Sequence, residues 1–237
     1  MMKKSANILI VTFIALTYFS CNNSNYNKSE LKNEVDSISY YSGIHVGLTL
    51  KELDITRFNN NVFNKAIQNA LSNKKLKISK EDAEYNIGLY LEKYRAQQNA
   101  KNLEKGQAFL AKTKTKVGVF SNKSGLLYEI IRQGNGLKPK PNDFAVINYK
   151  GSTIDGREFL NSYNHGQSDT IQINEDYTLK GWAEALKLMN VGSKYKIYLP
   201  TELCYDSGIM PGNIVKPYMA LIFEIELLAV VPNKEKK

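Results

Sequence analysis

Five aromatic side chains, Tyr149, Phe159, Trp182, Tyr205 and Phe223, each fall near the end or bend of a predicted element in the C-terminal half of the chain. Gathered around one cleft, such rings would bind a compact apolar group. Trp182 is the only tryptophan and stands at the mouth of a short predicted helix, where its ring is a natural pocket floor, although a tryptophan taken at random is more often plain core. The usual reactive sets are missing. His45 and His165 are the only histidines, so a metal site or a Ser-His-Asp triad in this half would rest on His165 alone. There is no phosphate-cradling glycine loop, no cysteine pair at metal spacing and no nucleophile elbow. The sequence calls for neither cofactor nor metal.

The elements that must hold these rings can be read from periodicity. Gly181 opens a helix whose apolar face carries Trp182, Ala185, Leu186 and Met189 and which stops at Gly192, where positive φ is cheap. A strand follows at once, with Tyr195, Ile197 and Leu199 on one face and Lys194, Lys196 and Tyr198 on the other. From Lys116 onward short strands alternate with turns. Leu126–Ile131 is stopped by Gly134-Asn135-Gly136, a second strand runs from Phe144 to Lys150, and Asp155-Gly156 marks a hairpin. The last strand, Leu221–Leu228, alternates Leu221, Phe223, Ile225 and Leu227 against Glu224 and Glu226. Several strands and one helix make an α+β domain.

Upstream the texture is helical. Ile38, Tyr41, Ile44 and Leu48 share one face of a helix from Asp36 to about Leu53, with Gly43 and Gly47 one turn apart on another face, a spacing that admits a close neighbour. A second helix from Asn60 to Leu71 is expected to bury Phe63, Ile67, Ala70 and Leu71. Two short helices make little core alone, so pairing with a second copy is the expected remedy. Ser79 caps a longer helix to about Thr113, acidic in its first turn. Ile87, Leu91 and Tyr94 stripe its first half, whereas Arg95–Asn102 is polar nearly all round, as suits a strut of roughly 50 Å through solvent. Gly106 instead suits an ordinary helix that frays at its middle.

The N-terminus reads as an export signal. Lys3 and Lys4 precede an apolar run from Ile8 to Phe19, too short to span a bilayer, ending at Ser20-Cys21. Phe19-Ser20-Cys21 resembles the end of a lipobox, which makes Cys21 a lipidation site, with bulky Tyr18 where such motifs usually carry Leu. The polar stretch from Asn22 to Glu30 suits a flexible tether. A lipid on Cys21 leaves Cys204 without a disulfide partner. The net charge of +9 comes without an Arg-rich block or a basic-aromatic stripe, so nucleic acid is not expected, and a basic surface beside an anionic membrane accounts for it more simply.

Tyr149-Lys150-Gly151, Asp155-Gly156-Arg157-Glu158-Phe159, Leu179-Lys180-Gly181-Trp182, Val191-Gly192, Leu199-Pro200, Tyr205 and Leu221–Leu228 stand in an order and spacing that resemble FKBP-type peptidyl-prolyl cis-trans isomerases. Tyr41-Ser42-Gly43 to Gly47-Leu48, Gln107–Ala111 and Ser124–Tyr128 resemble the exported, dimeric branch of that family, the macrophage infectivity potentiator-like proteins. The resemblance implies a half-wrapped antiparallel sheet around a short helix, with a prolyl pocket between them lined by Tyr149, Phe159, Leu179, Trp182, Tyr205 and Phe223. It implies an all-α dimerisation domain and a long connecting helix ahead of it.

The organisation expected is a signal peptide over 1–20, a tether over 21–35, a helical dimerisation domain over 36–78, a connecting helix over 79–115, the FKBP-like domain over 116–232 and a basic tail over 233–237. The expected function is isomerisation of X-Pro bonds in exported or unfolded polypeptides, by a lipid-anchored homodimer on the periplasmic side of a bacterial envelope membrane. Departures from the family pattern keep an alternative open, a chaperone-type client-binding module with a weak or inactive pocket. Leu160 replaces a pocket Asp, which removes a polar anchor. Asp169 replaces a pocket ring, Thr178 replaces a Val, Cys204 and Asp206 flank Tyr205, and the loop from Gly208 to Pro217 is one residue longer.

Overall fold

The computed structural model describes residues 31–53, 55–72, 74–205 and 213–233. The expected signal peptide, Cys21, the tether up to residue 30, the tail from 234 and the loop residues 206–212 lie outside the described residues. The chain divides into two compact units, residues 1–75 and 76–237.

The first unit holds α1 (Glu34–Glu52) and α2 (Asn60–Leu71). Both begin where an Asn side chain takes up orphan N–H groups: Asn33 accepts from Asp36, and Asn59 from Asn61 and Val62. Neither helix has a buried residue. The expectation that α2 buries an apolar face is therefore corrected for the single chain. Ile67 and Leu71 are exposed, Ala70 is exposed, and Phe63 is only half-buried against the Phe58 ring 4.8 Å away. Periodicity names a face but not what covers it.

The second unit opens with α3 (Lys80–Lys114), whose N-cap Ser79 accepts from the Asp82 N–H at 3.0 Å. Glu81 and Asp82 in the first turn and Lys112 and Lys114 in the last complement the helix dipole. Among the described residues seven strands follow: β1 (Val119–Ser121), β2 (Leu127–Arg132), β3 (Phe144–Thr153), β4 (Glu158–Asn161), β5 (Asp169–Gln172), β6 (Lys194–Leu199) and β7 (Leu221–Val231). They form one sheet in the order β1-β2-β6-β7-β3-β4, with β5 also on β3, and every pair is antiparallel. Helix α4 (Lys180–Leu188) crosses one face. Its Trp182, Ala183, Ala185 and Leu186 form a single core with Ile147, Ile197, Leu199, Phe223, Ile225 and Leu227. The α+β half-barrel expected from the sequence is the fold observed.

The other face of the sheet is not all solvent. Tyr198, expected to point outward, is buried because α3 lies over it: the Phe109 ring sits 6.0 Å from the Tyr198 ring, and the Tyr198 hydroxyl donates to Glu129 at 2.6 Å. Gly106 is no fraying point either. It is buried, and a Cβ there would stand 3.0 Å from Ala220. Asn102 meanwhile donates to the Pro217 carbonyl at 3.0 Å. So α3 is anchored on the sheet from Asn102 onward.

Where β2 ends, Gly134 and Gly136 let the chain lie flat on Val191–Ser193, the turn between α4 and β6. The Gly134 N–H donates to Ser193 Oγ at 2.9 Å and the Gly136 N–H to the Val191 carbonyl at 3.0 Å. A Cβ on residue 134 would stand 2.3 Å from Val191 O and 2.5 Å from Ser193 N, backbone on both sides, so no side chain can step aside. Gly134→Ala is expected to cost about 2–3 kcal/mol and to lower the melting temperature by roughly 5–10 °C, with the neighbouring Asn135→Ala close to parent in the same calorimetric comparison.

Candidate functional site

The strand period puts alternate residues of β3 on the concave face, and Ala145, Ile147, Gly151 and Thr153 are all buried there. Tyr149 belongs to that series. Its ring reaches the Trp182 indole, with centroids 4.8 Å apart and planes tilted by 58°. Trp182 meets Phe223 edge to face at 5.2 Å and 88°, and Phe223 meets Phe159 at 5.7 Å and 81°. Four of the five predicted rings thus form one unbroken chain of contacts. Phe223 is fully buried and supports the others from behind, whereas Tyr149 and Phe159 are half-buried at the rim.

Two missing side chains make this contact possible. A Cβ on Gly151 would fall 2.8 Å from the Phe223 ring and 3.0 Å from the Phe159 ring. A Cβ on Gly181 would fall 2.4 Å from Leu199 Cδ2 and 3.0 Å from the Leu203 carbonyl, which would lift the start of α4 off β6. Glu184 holds the outer side of α4: its carboxylate accepts from Asn122 Nδ2 at 2.7 Å and from Ser124 Oγ at 2.6 Å. Nothing in the sequence singled out Glu184, because its partners lie some sixty residues upstream.

Leu179 is the N-cap of α4, half-buried against the core, and its side chain takes none of the free N–H groups of the first turn. Tyr205 lies in the turn after β6, partly buried against the same core. Burial, with a smaller contribution from the neighbouring Cys204 thiol, pushes its hydroxyl up to about 12. Cys204 carries a half-buried thiol that donates to the Pro200 carbonyl at 3.3 Å. The Trp182 indole N–H is buried and has no hydrogen-bond partner among the described residues.

The rim of the site is where sequence and structure part. Leu160 lies opposite Gly151 in the β3–β4 register and packs, partly buried, on the core. A carboxylate is present near the rim nonetheless: that of Asp169 accepts from the Tyr149 hydroxyl at 2.6 Å. Burial first, and then that hydrogen bond, push the Tyr149 hydroxyl up to about 12. The backbone of Tyr149 is held too. At this point β4 no longer pairs with β3 and β5 has not begun, and buried Ser162 fills the gap by accepting from the Tyr149 N–H at 2.9 Å and donating to its carbonyl at 3.3 Å. Among the described residues there is no group of three or more His, Cys, Asp and Glu side chains placed to hold a metal.

Residues 136–228 match the family described as FKBP-type peptidyl-prolyl cis-trans isomerase, and residues 35–130 match the domain amino terminal to it. A curated relative from Aeromonas hydrophila, the FKBP-type peptidyl-prolyl cis-trans isomerase FkpA, is 34% identical over 84% of this chain and 79% of its own length. The peptidyl-prolyl cis-trans isomerase Mip of Coxiella burnetii is 32% identical over 84% of this chain and 88% of its own. Among solved structures, that of FkpA from Escherichia coli is similar with a TM-score of 0.70 at 30% identity, covering 85% of this chain and 98% of that one. The resemblance read from the sequence is borne out.

Raised tyrosine hydroxyls carry a sign. Tyr149, Tyr163 and Tyr205 each reach about 12, and Tyr198 rises further, burial being the largest cause in all four. An unfolded tyrosine titrates near 10, so above that pH the unfolded chain has given up protons the folded chain keeps. Stability contributed by these groups is complete below about pH 10 and is lost as pH climbs toward 12. Ultraviolet titration is expected to show an early phenolate step from exposed rings and a late step that coincides with unfolding. A single step near pH 10 covering all 15 tyrosines would show the rim rings to be open to water.

Proposed function

This chain belongs to the FKBP-type peptidyl-prolyl cis-trans isomerases, and from that premise we propose that its catalytic bowl is built by Tyr149, Phe159, Leu179, Trp182, Tyr205 and Phe223. The observation that carries the reading is the continuous ring contact Tyr149–Trp182–Phe223–Phe159 beside the N-terminus of α4. Its substrates are X-Pro bonds, whose isomerisation takes tens to hundreds of seconds unaided.

The barrier of roughly 18–20 kcal/mol is lost amide resonance. In the twisted transition state the amide is less polar than in the planar ground state, so a dry wall of rings favours the twist without an acid or a base. The prolyl ring rests on the Trp182 indole. An N–H of the first turn of α4 and the Tyr205 hydroxyl, kept protonated by burial, donate to carbonyls of the substrate backbone and hold it in register. Phe223, fully buried, keeps the indole and Phe159 in place.

The rest of the chain serves delivery. α1 and α2 expose Ile38, Tyr41, Ile44, Val62 and Leu71 and bury nothing of their own, which supports dimerisation through residues 36–75. Beyond the helix's own backbone, no described residue of the single chain lies within 4 Å of where a Cβ on Gly43 or Gly47 would stand, leaving room for a second backbone. No helix among the described residues is long and apolar enough to cross a membrane. A lipid on Cys21 then provides the attachment to a bacterial envelope membrane, on its periplasmic side, with exported polypeptides as clients.

Two experiments test this. In a proline-limited refolding assay the protein is expected to accelerate the slow phase at micromolar concentration or below. Tyr205→Phe should lower kcat/KM several-fold, and Trp182→Phe, which keeps a ring in the core, by about tenfold or more; a parent that leaves the slow phase untouched overturns the reading. For delivery, the mature chain is expected in the detergent phase on phase partition and the Cys21→Ser form in the aqueous phase, with twice the chain mass by light scattering. Parent in the aqueous phase, or a monomeric mass, would refute the anchor or the dimer respectively.

A further inference from the structure

Resting on the isomerase reading, we propose that Asp169 positions Tyr149 and gives the site a preference for substrates with a cationic side chain next to the proline. Three observations meet on this residue. The first is register: Asp169 pairs with Ile147 and Ile171 with Ala145, so 169, 171 and 173 share the concave face with the core residues of β3. Ile171 and Ile173 in that series are apolar and packed on the core, and Asp169 alone carries a charge. Asp169 itself is exposed, so the one charge of this series stands at its solvent end.

The second is its single bond. Oδ2 accepts from the Tyr149 hydroxyl at 2.6 Å, and Asp169 has no ion pair among the described residues. The hydrogen bond pins the ring that leans on the Trp182 indole, while the carboxylate itself stands at the exposed mouth of the site. The third is that two cations of the adjoining β3–β4 hairpin have other partners. Arg157 is held by Asp155 at 3.0 Å, and the Lys150 ammonium sits over the Tyr163 ring at 5.5 Å. An uncompensated negative charge beside a prolyl site attracts a lysine or arginine adjacent to the proline and repels a glutamate.

The test is isomerisation of short peptides in which Lys, Ala or Glu precedes the proline, with a second series in which the charge follows it. At low ionic strength the Lys-to-Glu ratio of kcat/KM is expected at about three- to tenfold in one series or both, through KM rather than kcat, since an exposed pair is worth little more. It should shrink toward one near 1 M salt, where the screening length is about 3 Å. Asp169→Asn keeps an acceptor for Tyr149 and removes the charge, so its ratio should approach one. Asp169→Leu removes both and should in addition lower kcat for the Ala peptide below that of Asp169→Asn. Glu175→Gln, the same change of charge on an exposed loop residue, should keep the parent ratio. Parent ratios near one in both series, or ratios unchanged by Asp169→Asn, overturn the preference, and equal kcat values for the Asn and Leu variants overturn the positioning. A parent that fails to turn over even the Ala peptide would instead overturn the isomerase reading.

Discussion

The edge-to-face contact between Trp182 and Phe223 is the constraint the catalytic unit is built around. Phe223 lies on β7, the strand between β6 and β3, and Trp182 lies in the first turn of α4, so one ring pair ties the helix to the middle of the sheet. Edge-to-face pairs contribute roughly 0.5–1.5 kcal/mol beyond the area they bury. Its geometry matters more than that energy. The indole can lie at this depth only because residue 181 has no side chain to hold α4 away from Leu199, and Phe159 can close the row only because residue 151 leaves the rings room. Two glycines therefore do as much to shape the bowl as the aromatics that line it.

That dependence runs outward. Glu184 fixes the outer side of α4 to the turn before β2, and Gly134 and Gly136 lie on the turn that leads from α4 into β6. The outer side of α4 and the turn that leaves it are thus set by segments outside the row of rings. On the far side, α3 covers Tyr198 of β6 with Phe109, so the sheet beneath the site is buried on both faces there. A strand clamped from both sides gives a pocket floor little freedom, which suits a site that must hold its shape in order to favour a twisted amide over a planar one.

Much of this was legible in the sequence because the sheet has one strongly apolar face. The alternation Leu221, Phe223, Ile225, Leu227 and the series Tyr195, Ile197, Leu199 named the core-facing residues, and all of them are buried. Ser79 as a cap and the glycines after β2 marked real boundaries. What failed to show was anything that depends on a partner far along the chain. Tyr198 reads as solvent-facing until α3 is known to cross it, and α2 reads as buried although none of its residues is buried in the single chain. The site divides in the same way. Its rings could be named one by one, but Asp169 as the acceptor for Tyr149 becomes visible only once residues 147 and 169 are known to be paired. Leu160 and Asp169 each looked like a loss, yet Asp169 supplies a carboxylate that accepts from the Tyr149 hydroxyl.

The unpartnered indole N–H bears on why position 182 holds tryptophan at all. A buried donor with no acceptor costs on the order of 1–3 kcal/mol, a cost that a phenylalanine in the same core would avoid. Selection for stability alone would remove such a donor, and sites where a local rule is broken are where function is expected. The indole offers a broader flat floor than a phenyl ring, and the gain from that floor is open to estimate. Each tenfold in rate needs about 1.4 kcal/mol of preference for the twisted bond. Ring contacts worth roughly 0.5–1.5 kcal/mol apiece, made only once the proline has turned, would supply several such steps from three or four rings, more than the donor costs. The same reckoning places the importance of water exclusion: a polar planar amide is stabilised by solvent, so every water kept out of the bowl raises the ground state without touching the twisted one. In the proposed site, Phe223 behind the indole and Leu179 at the mouth of α4 serve the reaction through what they exclude, with no chemistry of their own.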